Sequence, residues 1–156
     1  MSAAGRLPHI DEHSIAIEAP SGVTWEALLQ AFGGSSRSQA STRGARLLGC
    51  ADVAASGPRP LAVGSTVPGF HVETAEDSRE LALAGRHRFS DYALIFRLAE
   101  EDGGRTTLRA ETRATFPGLR GRLYRAMVIG TRIHVLMTRR ILASVKRGAE
   151  RRQATA

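Results

Sequence analysis

The chain has 156 residues and a mass of 16.7 kDa, the size of one domain rather than two, since domains cluster at about 100–150 residues. With 42% hydrophobic and 24% charged residues it has a globular balance that excludes a disordered chain. The formal charge is +7, carried almost entirely by arginine, with Lys146 as the one lysine.

That charge is unevenly placed. Residues 1–117 hold 12 arginines and 14 acidic residues, whereas residues 118–156 hold ten basic residues and Glu150 alone. A pI near 11.1 raises nucleic acid as a partner, but no recognised nucleic-acid motif accompanies it, so nucleic acid is an unlikely partner and the charge belongs to one segment. The single cysteine, Cys50, excludes an intramolecular disulfide and a cysteine-based metal cluster, and a reducing cytoplasm is the expected compartment. Met1–Ser14 lacks the apolar core of a signal peptide. The apolar stretches fall far short of the roughly 18 residues that cross a bilayer, so no transmembrane segment is expected, though contact with a membrane surface stays open. Residues 1–11 are expected as a flexible N-terminus, 12–149 as one domain and 150–156 as a flexible C-terminus.

In chain order, Ile15 and Ile17 alternate with Ser14, Ala16 and Glu18, the period of a strand. Pro20-Ser21-Gly22 breaks it. Ser21 or Thr24 can cap a helix through Trp25, Leu28, Leu29 and Phe32, which Gly33-Gly34 ends. Residues 33–44 are small and polar and read as a loop or a weak second helix. Ala45–Ala54 reads as strand, Gly57-Pro58-Arg59-Pro60 as a turn, and Ser65–Ala75 as extended chain. Asp77-Ser78 and Glu100–Gly104 are hairpin signals. Around them Arg79–Arg86, Phe89–Ala99 and Arg105–Phe116 alternate, the last with Leu108, Ala110, Thr112, Ala114 and Phe116 on one face. Sequential hairpins of this kind make an antiparallel sheet of about six strands with one core-facing side.

After Pro117-Gly118 the period becomes helical to about Gly148. Leu119, Leu123, Ala126, Met127, Gly130, Ile133, His134, Met137, Ile141, Ser144 and Val145 fall within a stripe about 120° wide, which predicts one long amphipathic helix packed on the sheet. Arg125, Arg132 and Arg139, seven apart, then form its outer row. The whole is an α+β layout.

The segments Ile15–Pro20 and Val23–Leu28, with Glu111-Thr112-Arg113-Ala114-Thr115-Phe116-Pro117-Gly118, Tyr124-Arg125 and Val128–Arg132, resemble bacterial members of the SRPBCC superfamily, which includes START domains, pollen-allergen-like proteins and polyketide cyclase/dehydrase proteins. The resemblance implies the helix-grip fold: a curved antiparallel sheet wrapped around a long C-terminal helix, with a cavity between them for an apolar or amphipathic small molecule. Trp25, Phe70, Leu94, Phe96 and Leu108 would line that cavity from the body of the domain. Met127, Gly130, His134 and Met137 would line it from the helix.

Two polar residues are candidates for chemistry. A neutral imidazole at His134 could bind a ligand carbonyl or hydroxyl or move a proton between carbon and oxygen; the alternative is a histidine satisfied by neighbouring groups. Tyr92, on the dry face of its strand, is the second, against the reading of an ordinary core tyrosine. Gly130 either leaves room for ligand or lets the sheet approach. No metal spacing, phosphate loop or nucleophilic triad is present, and no cofactor is expected. Three functions remain: binding of a lipid- or polyketide-like molecule without catalysis, a cyclase- or dehydratase-like enzyme at the same cavity, and an interaction module using the basic helix on anionic membrane or nucleic acid. The protein is expected as a monomer or homodimer.

Overall fold

The computed structural model describes residues 2–33 and 38–156, without the side chains of 38 and 39. Alternation of apolar and polar residues carries its sheet. The strands are β1 (His9–Ile17), β2 (Thr66–Val67), β3 (Phe70–Glu76), β4 (Glu80–His87), β5 (Ser90–Glu101) and β6 (Arg105–Thr115). They form one antiparallel sheet in the order β1-β6-β5-β4-β3-β2. Both expected hairpins form. Ser78 turns β3 into β4 with φ +57°, and Gly103 and Gly104 turn β5 into β6 with φ +80° and +72°, a left-handed backbone that glycine adopts without a Cβ clash. The segment expected as extended from Ser65 to Ala75 is itself a hairpin, β2 and β3, reversed at Pro68-Gly69.

The concave face holds the main core. Ile17, Leu81, Leu83, Phe96 and Leu108 are fully buried there with Val72 and Leu94, against Trp25 and Leu28 of helix α2 (Ser21–Gly33) and Leu142, Val145 and Ala149 of helix α5 (Ile133–Ala154). Each large side chain so buried contributes about 1.5–3 kcal/mol. The helix α2 was expected from the spacing of Trp25, Leu28 and Phe32, and it forms.

The convex face is covered too. Residues set apart above as a flexible N-terminus form a one-turn helix, α1 (Ala3–Arg6), capped by Ser2. The Glu73 carboxylate accepts from the backbone N–H groups of Ala3 and Ala4, and Ala4 packs against Ala82, Ala84, Ala93 and Ile95. This second layer explains why β4 is buried on both faces from Leu81 to Gly85. Arg113 donates to the carbonyls of Gly5 and Leu7 and to Glu111, which also accepts from Arg97. Burial alone would raise the Glu111 pKa, but the two guanidinium partners outweigh it and hold the carboxyl below its usual range.

Two expectations are corrected. Ala45–Ala54 is not a strand: Ser38–Leu48 is a helix, α3, and irregular chain follows. Helix therefore continues through the small polar segment wherever that segment is described, while 34–37 lie outside the described residues. Second, the single long helix is two. Helix α4 (Gly118–Gly130) ends where Arg132 adopts φ +55°, and α5 begins at Ile133. Gly130 weakens the helix by about 1 kcal/mol relative to alanine, and the Thr131 hydroxyl donates back to the Met127 carbonyl, a bond that competes with the helical ladder. The arginine row is broken with it, because Arg132 sits at the joint rather than on either helix face.

The break also turns the apolar stripe. On α5 the core-facing residues are Thr138, Leu142, Val145 and Ala149; of the expected stripe Val145 is among them and Ile141 packs beside them half-buried, while Ile133 and Met137 are exposed. On α4 the stripe faces outward: Leu119 is 81% exposed, Leu123 75% and Met127 58%. What attaches α4 to the sheet is its other side, where Gly121 lies against the backbone of Phe116 and Phe89 and Tyr124 stacks on Phe89.

Candidate functional site

The concave face carries its polar groups at one end, in two clusters on either side of β6 and β5. The first belongs to β1 and α5. The alternation that puts Ile17 and Ile15 inward continues back to His13, opposite Ala110, and to Asp11, opposite Thr112. One carboxylate oxygen, Asp11 Oδ2, lies 2.9 Å from His134 Nε2 and 3.2 Å from His13 Nε2. The other ring nitrogen of His134 is 3.3 Å from the Val128 carbonyl of α4. Both nitrogens of His134 thus face acceptors, and the ring joins β1, α4 and α5. Asp11 Oδ1 and Thr112 Oγ1 are buried without a hydrogen-bond partner; among the described residues the other such side-chain atom is Thr24 Oγ1 of α2. A buried polar atom left unpaired costs about 1–3 kcal/mol, so two of them at facing register positions on an otherwise apolar surface are polar positions for a further group to meet.

The second cluster is aromatic. Tyr92 on β5 crosses Gly85 of β4, packs edge-on against Phe70 at 5.2 Å, and donates to the Gly69 carbonyl at 2.6 Å. Burial first, and then the Cys50 thiol 3.7 Å away, push the Tyr92 phenol well above its ordinary value of 10. It keeps its proton and has given it to backbone, leaving a lone pair to accept with. His87 packs on Tyr92, Phe89 and Tyr124, and its Nδ1 accepts from the Phe89 N–H. Burial lowers the His87 pKa from 6.5 against the opposing pull of Asp91, so the ring is neutral with its proton on Nε2.

The lowered pKa sets a pH dependence. As pH falls below 6.5 the unfolded chain takes up this proton before the folded chain does, so the site's contribution to stability is complete at neutral pH and declines as pH drops towards the folded value. His87→Gln, which keeps an acceptor for Phe89, should flatten the fall in urea midpoint between about pH 7.5 and 5. An unchanged slope would place the titration elsewhere.

The predicted site residues divide three ways. Trp25, Leu94, Phe96 and Leu108 lie together in the main core, with Phe70 packed against it. His134 and Tyr92 are brought to the same end of the concave face but into separate clusters, each with partners of its own. Met127 and Met137 are exposed rather than inward, and so is Gly130, where an added Cβ would meet nothing within 4 Å. Both readings of Gly130 assumed an inward position; the helix break moves it out. Asp11, His13 and Thr112 were not singled out from the sequence, although extending the strand alternation two steps back from Ile15 reaches Asp11.

A cleft of about 380 Å³ lies elsewhere, between α2, the end of α5 and the 59–61 loop, with Leu29, Pro60 and Leu61 as its apolar wall. Its cations are engaged: Arg152 with Glu26 and Gln30, Arg59 with the carbonyls of Ser56, Pro58 and Thr66.

The strand order, the curved face and the gripping C-terminal helix define a helix-grip protein. Solved structures share this fold. The Zhui aromatase/cyclase from Streptomyces sp. R1128 is 16% identical, with a TM-score of 0.55 over 94% of this chain and 96% of its own. The di-domain ARO/CYC StfQ of the steffimycin biosynthetic pathway is 11% identical with a TM-score of 0.56, over 92% of this chain and 51% of its own. CalU16 from Micromonospora echinospora is 16% identical with a TM-score of 0.51, over 86% of this chain and 70% of its own. At these identities the likeness establishes the fold alone, the helix-grip fold expected from the sequence. No family model and no curated protein matches the chain. Among the described residues no helix is long and apolar enough to cross a membrane, and no three His, Cys, Asp or Glu residues are grouped to hold a metal ion.

Proposed function

We propose that the protein binds an apolar or amphipathic small molecule, of lipid or polyketide type, against the concave face beneath α4. The observation that carries this reading is the pair Asp11 Oδ1 and Thr112 Oγ1, buried and unpaired on facing strands. A ligand hydroxyl can donate to the first, and the second can donate to a ligand oxygen, while Leu94, Ala114 and Tyr92 on the same face offer an apolar bed. The composition of this end of the face supports it, since sites for such ligands are mostly apolar with a few placed polar groups. The joint at Thr131-Arg132 sets α4 apart from α5 as a separate wall over this end of the face. The lone Cys50 thiol is buried, and the reading places the protein in a reducing cytoplasm.

Thr112→Val keeps shape and removes the hydroxyl. Affinity for a polyphenolic or fatty-acid probe, read by displacement of anilinonaphthalenesulfonate, should fall between about fivefold and a hundredfold, the cost of one unmet hydrogen bond. Unchanged affinity for every probe would remove the reading.

A cyclase- or dehydratase-like reaction at the same place is the second reading, and the Asp11–His134 contact favours it, because a carboxylate that orients an imidazole prepares a proton carrier. Binding is preferred, because both ring nitrogens already face acceptors. His134→Ala with affinity retained and turnover of a poly-β-ketone lost would reverse that preference.

A further inference from the structure

The outward stripe of α4 is an apolar feature that the fold leaves uncovered. Among the described residues, six of the eight exposed large hydrophobic side chains fall between Leu119 and Met137. Scattered exposed apolar residues need no explanation, whereas a concentration of them marks a surface with a partner. Successive helical residues are rotated by 100°, so Leu119, Leu123 and Met127 lie within about 80° of one another. Arg120 and Arg122, both exposed, flank that ridge on opposite sides. From Gly118 to Ala149 the chain carries eight basic residues and no acidic one.

We propose that α4 docks on an anionic lipid surface, its leucine and methionine ridge entering the boundary between headgroups and acyl chains and its arginines taking the headgroup phosphates. This goes beyond the ligand-binding reading and does not depend on it. An apolar stripe edged by arginine on a helix without carboxylates is the composition that lies in a membrane interface. The alternative occupant is a second copy of the chain. A two-fold axis through α4 would set the same surface against itself, bringing Arg120 and Arg122 against their own copies with no acidic residue on the helix to offset them. Like charges across an interface are unfavourable; an anionic bilayer turns the same charges into attraction, worth about 1 kcal/mol for each arginine near the surface.

The side of α4 towards the domain remains attached during docking. Gly121 on Phe116 uses the opposite face of the helix and Tyr124 on Phe89 one flank of it, so the ridge is free to enter lipid with the fold intact.

The test is flotation of the intact protein with phosphatidylcholine vesicles, with and without phosphatidylglycerol, at low and high salt. Binding is expected to the anionic vesicles only, and to weaken with salt. Leu123→Glu, on an exposed position where folding should be unaffected by circular dichroism, should lower the partition by about tenfold or more. Arg120→Gln should lower it roughly fivefold and reduce the salt dependence. Absence of flotation with anionic vesicles at low salt would overturn the proposal. So would a dimer in sedimentation velocity that Leu123→Glu converts to monomer while the wild-type protein ignores vesicles, the result that assigns the ridge to a second copy. Failure here with a small molecule still bound would leave the ligand-binding reading standing.

Discussion

Gly85→Ala is expected to destabilise the protein by about 3 kcal/mol, a large effect for one added methyl group. A Cβ at Gly85 would stand 2.2 Å from the Gly69 carbonyl oxygen and 2.5 Å from Cε2 of Tyr92. The first neighbour is backbone and the second a ring held between Phe70 and His87, so neither can withdraw cheaply. The strand must separate from the β2–β3 hairpin, and the Tyr92–Gly69 hydrogen bond breaks with it. Gly44→Ala is the control, since a Cβ there meets nothing within 4 Å; on helix α3 it should be neutral or stabilising by up to about 1 kcal/mol. Equal urea midpoints for the two variants would show that the close crossing of Tyr92 over Gly85 does not hold the hairpin.

Phe96→Ala should cost about 3–5 kcal/mol. Phe96 is fully buried at the centre of the concave face, between Leu81 of β4 and Ala110 of β6, and meets Phe32 of α2 edge-on at 5.5 Å. Truncation removes the transferred area and leaves a void that three separate elements would have to collapse together to fill. Phe96→Leu should retain most of the stability. If both variants lost equally little in urea or thermal unfolding, α2 would not be gripped by the sheet in the way the packing indicates.

The sheet was legible because its strands alternate and its turns carry Gly103-Gly104 and Asp77-Ser78. The rest was hidden for identifiable reasons. The apolar period of Leu119 to Val145 runs unbroken through residue 131, so periodicity alone returned one helix; the left-handed Arg132 leaves no trace in the pattern. Once the joint forms, the same stripe turns outward in α4 and at the start of α5, and α5 turns a different set, Thr138, Leu142, Val145 and Ala149, to the core. Ala45–Ala54 read as strand because its small and apolar residues suit either state, and tertiary context decided for helix over its first part. Leucines at 81 and 83 announced the concave core, but nothing local said that Ala82 and Ala84 would be covered by a helical turn from the N-terminus.

At the site, His134 and Tyr92 were visible as polar residues at inward positions. Their partners were not, because these come from sequence distances of 123 residues for Asp11–His134 and 23 for Tyr92–Gly69. The register shift between His9 and Asp11 further obscured which early β1 residues point inward. What changes the functional reading is this set of partners. Tyr92 has already spent its proton on backbone, and His134 joins three elements, so the buried side-chain oxygens of the sheet's concave face that still lack a partner are Asp11 Oδ1 and Thr112 Oγ1.

Native mass spectrometry of the protein purified from its own host tests the central claim most directly. A second species is expected, heavier than the 16.7 kDa chain by one small molecule, released on denaturation and depleted in Thr112→Val. A single unliganded mass in both proteins, with no probe of lipid or polyketide type bound by either, would contradict it.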